Sequence, residues 1–200
     1  MKTLRELEKM YGGLHKGVSK SGKPHQGGDR CCVNEYDLVY EKYLPKSPKV
    51  VVEIGNFMGI GLQVFSDYFP DARIIGLDIS PETVENPGRA EVHFFDQLSP
   101  NGIIEILKGE KADIVIDDGF HRAFSMVHTY KYFQPHLNKN SVYFIEDISK
   151  NEYMPKYIED CVQYNPNPKH GRIAVVTNHD KPIKRAGISL IEKYNREFYR

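Results

Sequence analysis

The chain is short of cysteine, of any charge excess and of long apolar runs, and each shortage closes off a class of protein. Its three cysteines, two of them adjacent (Cys31 and Cys32), cannot frame a disulfide-stapled fold. Nor does any pair show the spacing of a zinc site. Reduced thiols and a cytoplasmic location are the expectation. Twenty-seven basic residues against 27 acidic ones leave no overall field to draw in nucleic acid or a lipid surface, so neither partner is expected. No window approaches the roughly 18 consecutive apolar residues of a membrane span. The charged, helix-like N-terminus has no apolar signal core. What remains is a soluble chain of 200 residues, 40% apolar, sized for one domain with a sizeable core.

Residues 3–11 set Leu4, Leu7 and Tyr11 at helical spacing, and residues 34–44 do the same with Tyr36, Val39, Tyr40 and Tyr43 before Pro45. Between them, residues 12–30 carry six glycines and a proline and cannot bury a core. That stretch, with His15, Lys16 and His25, is expected to be mobile and to close over a site. Residues 1–45 therefore read as N-terminal helices with a capping Gly/Lys-rich loop, and residues 46–200 as the main domain. There, KVVVEIG (49–55), RIIGLD (73–78), 91–95, ADIVID (112–117) and SVYFI (141–145) are short apolar runs, as expected of strands buried on both faces. Helical stretches at 61–69, 103–108 and 124–136 separate them. A helix over 154–164 and two last strands, 172–177 and 187–194, joined at 180–184 as an antiparallel hairpin, complete the pattern. The predicted fold class is α/β: a seven-stranded, mainly parallel sheet with a C-terminal antiparallel hairpin and helices on both faces.

In such sheets ligands bind beyond the carboxyl ends of the strands. The first strand ends in Glu53-Ile-Gly55-Asn56-Phe57-Met58-Gly59, whose glycines let the backbone turn sharply and approach a ligand. The second ends in Asp78, 25 positions after Glu53, placed to accept from the two hydroxyls of a ribose. The third ends near Asp96 and Gln97, suited to an adenine edge. Asp78 and Asp96 merely solvating strand ends is the alternative. The turn lacks the close G-x-G-x-x-G that cradles a pyrophosphate, and Glu53 would repel one. A carboxylate there tolerates the ammonium of an amino acid, which favours S-adenosylmethionine over a dinucleotide. The fourth strand ends Asp117-Asp118-Gly119-Phe120-His121 and the fifth Glu146-Asp147. If the two strands are neighbours, their carboxylates crowd one rim, and a hard divalent cation such as magnesium, manganese or calcium relieves the repulsion. His121 could then stand by as a general base. Helix capping by Asp117 and Glu146, or pairing with Arg122 and Lys150, stays open on these residues alone.

The segments VVEIGNFMGIGLQVFSDYFPDARIIGLDIS, FFDQ, DIVIDDGFH and YFIEDIS, spread over residues 36–149, resemble the metal-dependent class I O-methyltransferases that act on sugar hydroxyls of macrolides and related natural products. The Asp-Asp-Gly-x-His element, followed 28 residues later by Glu-Asp, is the specific part of the match. The resemblance implies a Rossmann-like class I methyltransferase fold, magnesium on Asp118, Glu146 and Asp147, and proton removal by His121, with Asp118 beside it in catalysis. It implies a cofactor site for S-adenosylmethionine at Glu53, Gly55, Asp78, Asp96 and Gln97. Asn56, Gly59, Ile79 and Asp117, which flank these positions, complete the expected set. Phe120 stands where the family usually has serine. The large extra N-terminal domain of some relatives is not matched, so a small-molecule hydroxyl acceptor is expected to sit in a differently built pocket, which a second copy in a homo-oligomer could complete. A non-catalytic cofactor-binding module and a dinucleotide-dependent oxidoreductase are the rival readings.

Overall fold

The computed structural model describes residues 2–11, 28–85 and 87–198, the side chains of 197 and 198 excepted. Most of the expected capping loop, including His15, Lys16 and His25, lies outside the described residues. One seven-stranded sheet is built from β1 (Val50–Ile54), β2 (Arg73–Asp78), β3 (Glu91–Phe94), β4 (Ala112–Asp117), β5 (Leu137–Ile148), β6 (Cys161–Tyr164) and β7 (Arg172–Val176). Their spatial order is β3-β2-β1-β4-β5-β7-β6. The first five strands pair in parallel, and β7 runs antiparallel to both its neighbours. Strands β1, β2 and β4 are buried almost throughout, because helices cover both faces.

Helices α1 (Leu4–Tyr11), α2 (Asp37–Tyr43) and α3 (Ile60–Tyr68) pack on one face, where Leu4, Leu7, Tyr40 and Phe65 meet Val51, Ile114 and Phe144. Helices α4 (Ile103–Leu107), α5 (Ala123–Phe133) and α6 (Arg185–Phe198) cover the other, where Ile103, Met126, Tyr130 and Ile191 meet Val50, Val115 and Tyr143. Side chains alternate across a strand, so this division decides which way each strand-end acid points. Glu53 and Glu146 follow Val51 and Phe144 toward the α1–α3 face. Asp117 follows Val115 toward the α5 face.

The C-terminal third departs from the sequence expectation. Residues 187–194 are helical, within α6, and the expected helix over 154–164 is a short 3-10 turn (Met154–Lys156) followed by strand β6. The antiparallel hairpin exists, but β6 and β7 form it. Ile188, Ile191 and Tyr194 recur every third residue, which keeps them on one helical face, whereas a strand would scatter them over both. Tyr194 stacks on Phe124 of α5 with centroids 3.7 Å apart. No helix among the described residues is long and apolar enough to cross a membrane.

Phe133, fully buried at the end of α5, meets Phe95 at 5.9 Å and Tyr143 at 6.3 Å between ring centroids. Phe133→Ala is expected to lower stability by about 3–5 kcal/mol, the usual cost of emptying a buried aromatic site. Urea unfolding at fixed pH checks it.

Candidate active site

A cavity of about 660 Å³ opens at the carboxyl ends of β1, β2 and β4. Gly55, Leu77, Asp78, Ile79, Phe95, Asp96 and Gln97 line one part of it, and Asp118, Gly119, Phe120, His121 and Asp147 another. Gly55 adopts φ +80° where β1 passes under the β4 loop, and a Cβ there would fall 2.7 Å from the Asp118 carbonyl carbon. Only glycine fits that approach. Gly59, at φ +89°, caps α3 and is not part of the cavity lining.

Asp78 accepts amide hydrogens from Asn56 at 2.7 Å and Phe57 at 3.3 Å with one oxygen, and from Ser80 at 2.9 Å with the other. It therefore stitches the β1 turn to β2 while facing the cavity. Asp96 accepts from the Leu98 amide at 2.8 Å. Ile79 is half exposed over the opening. Gln97, expected to meet an adenine, spends its amide elsewhere: it donates to Asp117 at 2.7 Å and Thr129 at 3.2 Å and accepts from the Phe120 N–H at 2.7 Å. These bonds hold the β4 loop, and Gln97 lines the cavity beside Asp96 as well. Asp117 lies beneath that loop, buried, accepting also from the Tyr143 hydroxyl at 3.1 Å. Burial pushes its carboxyl up to about 6, against the pull of those hydrogen bonds.

On the other face, the rim acids come together. Asp118, His121 and Asp147 each offer a ligand atom, all within 4.8 Å of one another. His121 Nε2 stands 4.0 Å from Asp118 Oδ1. Both His121 (φ +53°) and Asp147 (φ +49°) occupy the left-handed region, which costs a non-glycine residue of order 1 kcal/mol. Asp147 is held by the Tyr36 hydroxyl at 2.7 Å and Asn34 at 3.4 Å. The two carboxylates suit a hard divalent ion that keeps several waters, with the imidazole standing beside it.

Glu146 is not in that group. Its carboxylate is buried, bonded by the Tyr40 hydroxyl and, through both oxygens, by Arg30 Nε at 2.8 and 2.9 Å. Arg30 also reaches Glu53 at 2.6 Å and Asp118 at 3.3 Å. Burial and neighbouring carboxylates raise Asp118 well above its usual range. Burial drives Glu146 to about 7 despite the guanidinium, and Glu53 is likewise raised by burial. A smaller hollow, between Arg30, Glu53, Asn56 and Gly61, adjoins the main cavity through Gly55, Phe57 and Asp118.

Arg30 and the hydroxyls of Tyr36 and Tyr40 are the participants that sequence reasoning missed. The tyrosines fit a packing role equally well, and Arg30 sits in a glycine-rich stretch without periodicity. The one available signal was the acidic rim itself, whose carboxylates outnumber the charges of the single divalent ion assigned to it.

The strand order, the switch-point cavity and the acid at the end of β2 define a Rossmann-like class I methyltransferase fold. No family model matches the chain. It is similar to the 8-demethyl-8-α-L-rhamnosyl tetracenomycin-C 2′-O-methyltransferase of Streptomyces olivaceus, with 27% identity over 142 residues, 66% of this chain and 37% of that protein. It is also similar to the demethylmacrocin O-methyltransferase of Streptomyces fradiae, with 26% identity, 68% of this chain and 36% of that protein. The chain thus spans little more than a third of the curated relatives it matches. Among solved structures it resembles the MycE methyltransferase of the mycinamycin biosynthetic pathway, in complex with Mg, SAH and mycinamycin VI, with TM-score 0.59 and 20% identity over 96% of this chain and 59% of that one.

Asp117 binds a proton more tightly in the folded chain, at about 6, than at its ordinary 3.8. The native state then holds more protons than the unfolded one between about pH 4 and 6, so stability falls as pH rises through that window. Asp117→Asn removes this contribution, and Tyr143 can accept from the new amide. The variant's urea midpoint is expected to fall less than the wild type's between pH 4 and 6. Parallel curves would show that Asp117 carries no such penalty.

Proposed function

We propose that the chain is an S-adenosylmethionine-dependent O-methyltransferase domain, acting on a hydroxyl of a small molecule, a sugar of a glycosylated natural product, with magnesium or another hard divalent cation. The juxtaposition of Asp118, His121 and Asp147 on the same cavity as Asp78 carries this reading. The Streptomyces relatives, both named O-methyltransferases and one of them for a rhamnosyl acceptor, and the MycE complex with magnesium and SAH support it.

Asp78, Ile79 and Asp96 are the residues to hold the adenosine end of the donor, on the same cavity as the Gly55 turn. Glu53 is the carboxylate for its ammonium. The donor's net positive charge suits a cavity walled by carboxylates. Asp118 and Asp147, with Glu146 behind them, are the residues to hold the cation. When bound there, the cation supplies Lewis acidity that lowers the pKa of an acceptor hydroxyl. His121, exposed at the rim, takes the hydroxyl proton. The acceptor oxygen bonds to the methyl carbon as the sulfur–methyl bond breaks, and S-adenosylhomocysteine leaves. Most of the acceleration comes from holding oxygen, carbon and sulfur in line. Three free cysteines, Cys31, Cys32 and Cys161, suit a cytoplasmic location. Neither nucleic acid nor membrane enters the reading, and a second copy completing the acceptor pocket is part of it.

His121→Ala is expected to leave donor binding unchanged by calorimetry and to lower turnover by about 10²- to 10⁴-fold. Unchanged turnover removes the base. Exhaustive chelation is expected to abolish methyl transfer to a rhamnosylated polyketide, and magnesium to restore it. Full activity after chelation ends the cation reading.

A further inference from the structure

Arg30 is a buried cation at the rim that methyl transfer itself does not use. Its guanidinium meets acids from three adjacent strands: Glu53 on β1, Asp118 just beyond β4 and Glu146 on β5. The seat is built for it. Its charged end lies over the Phe65 ring, 5.4 Å from guanidinium carbon to centroid. Gly61 leaves the space, since a Cβ there would fall 2.6 Å from Arg30 Nη1 and collide with the Glu53 carboxylate. Glu8 on α1 accepts the amide hydrogens of Cys31 and Cys32 at 2.8 to 3.1 Å, pinning the turn that carries Arg30.

Asp118 is divided between two groups. Its Oδ2 faces Arg30 at 3.3 Å, and its Oδ1 faces His121 at 4.0 Å. The rim therefore has an inner seat at Glu53, Glu146 and Asp118, filled by the guanidinium, and an outer one at Asp118 and Asp147, beside His121. A divalent ion on the outer seat shares Asp118 with a positive charge already bonded to it. Should the ion also take Glu146, Arg30 must release both oxygens of that carboxylate. Each cation weakens the other's hold on the common acids.

Building on the cation reading above, we propose that Arg30 is a positioning residue that serves as the chain's own counter-cation and competes with the divalent ion for Asp118 and Glu146, so that the guanidinium limits the affinity of the metal seat. Without a metal it keeps the rim acids together. With one, it sets how tightly the ion is held.

The test is Mn²⁺ binding to the donor-free protein, read from the free-ion electron paramagnetic resonance signal, for wild type, Arg30→Gln and Arg30→Lys. The Gln variant keeps a donor for Glu146 but no charge, whereas Lys keeps the charge without the fork. Binding about tenfold tighter in Arg30→Gln, with Arg30→Lys near wild type, is the expected result. Equal or weaker binding in Arg30→Gln overturns the competition while leaving the metal reading intact. Absence of Mn²⁺ uptake by all three at millimolar metal overturns both. If Arg30→Gln fails to fold without metal, its unfolding temperature across a Mn²⁺ series must rise more steeply than that of wild type. An equal or shallower slope rejects the proposal.

Discussion

Three neighbouring parallel strands deliver carboxylates to one edge of the sheet, and like charges brought together there cannot all stay ionised without a cation among them. Glu53, Asp118, Glu146 and Asp147 answer this in different ways. Arg30 holds three of them. Tyr36 and Tyr40 each donate a hydroxyl, to Asp147 and Glu146. Asp118 and Glu146 keep a raised affinity for protons. Among the described residues one guanidinium stands against four acids, so the described rim is short of positive charge.

The pleat explains why the acids divide into two sets. Glu53 and Glu146 are in step with Val51 and Phe144 and so face the N-terminal helices, where Arg30 waits. Asp117 is one position out of step with Asp118 and faces Gln97 and Tyr143 instead. Two adjacent aspartates at one strand end thus do unrelated work: the first ties down the loop, and the second stands at its mouth. The loop must be held tightly, because its His121 adopts left-handed backbone, a conformation that survives only where surroundings over-determine it. The Gln97 bonds to Asp117 and the Phe120 amide are part of that determination.

The sheet was readable because its strands are continuous apolar runs with helices on both sides, a pattern that local sequence carries in full. RIIGLD and ADIVID have the bounds their runs predict. Strand ends follow directly, which is why Asp78, Asp118, His121 and Asp147 could be named in advance as neighbours of one cavity. The C-terminal segment was harder, since Leu190 and the polar residues between Gly187 and Tyr194 blur the three-residue recurrence of Ile188, Ile191 and Tyr194, and packing of Tyr194 on Phe124 decides for helix. Arg30 was not readable at all. Its seat depends on contacts across 23, 88 and 116 positions of sequence, with Glu53, Asp118 and Glu146, and no local pattern records these.

The two halves of the site therefore come from different parts of the chain under different constraints. The cavity and its acids belong to strand ends, where a shift of one residue would turn every side chain to the wrong face. Arg30, Tyr36 and Tyr40 belong to the N-terminal layer, which rests on the sheet through Leu4, Leu7 and Val39 and is tied to itself by Arg5 on Asp37 at 2.7 Å. Changes in that layer can alter the charge and hydrogen bonding of the rim without disturbing strand register.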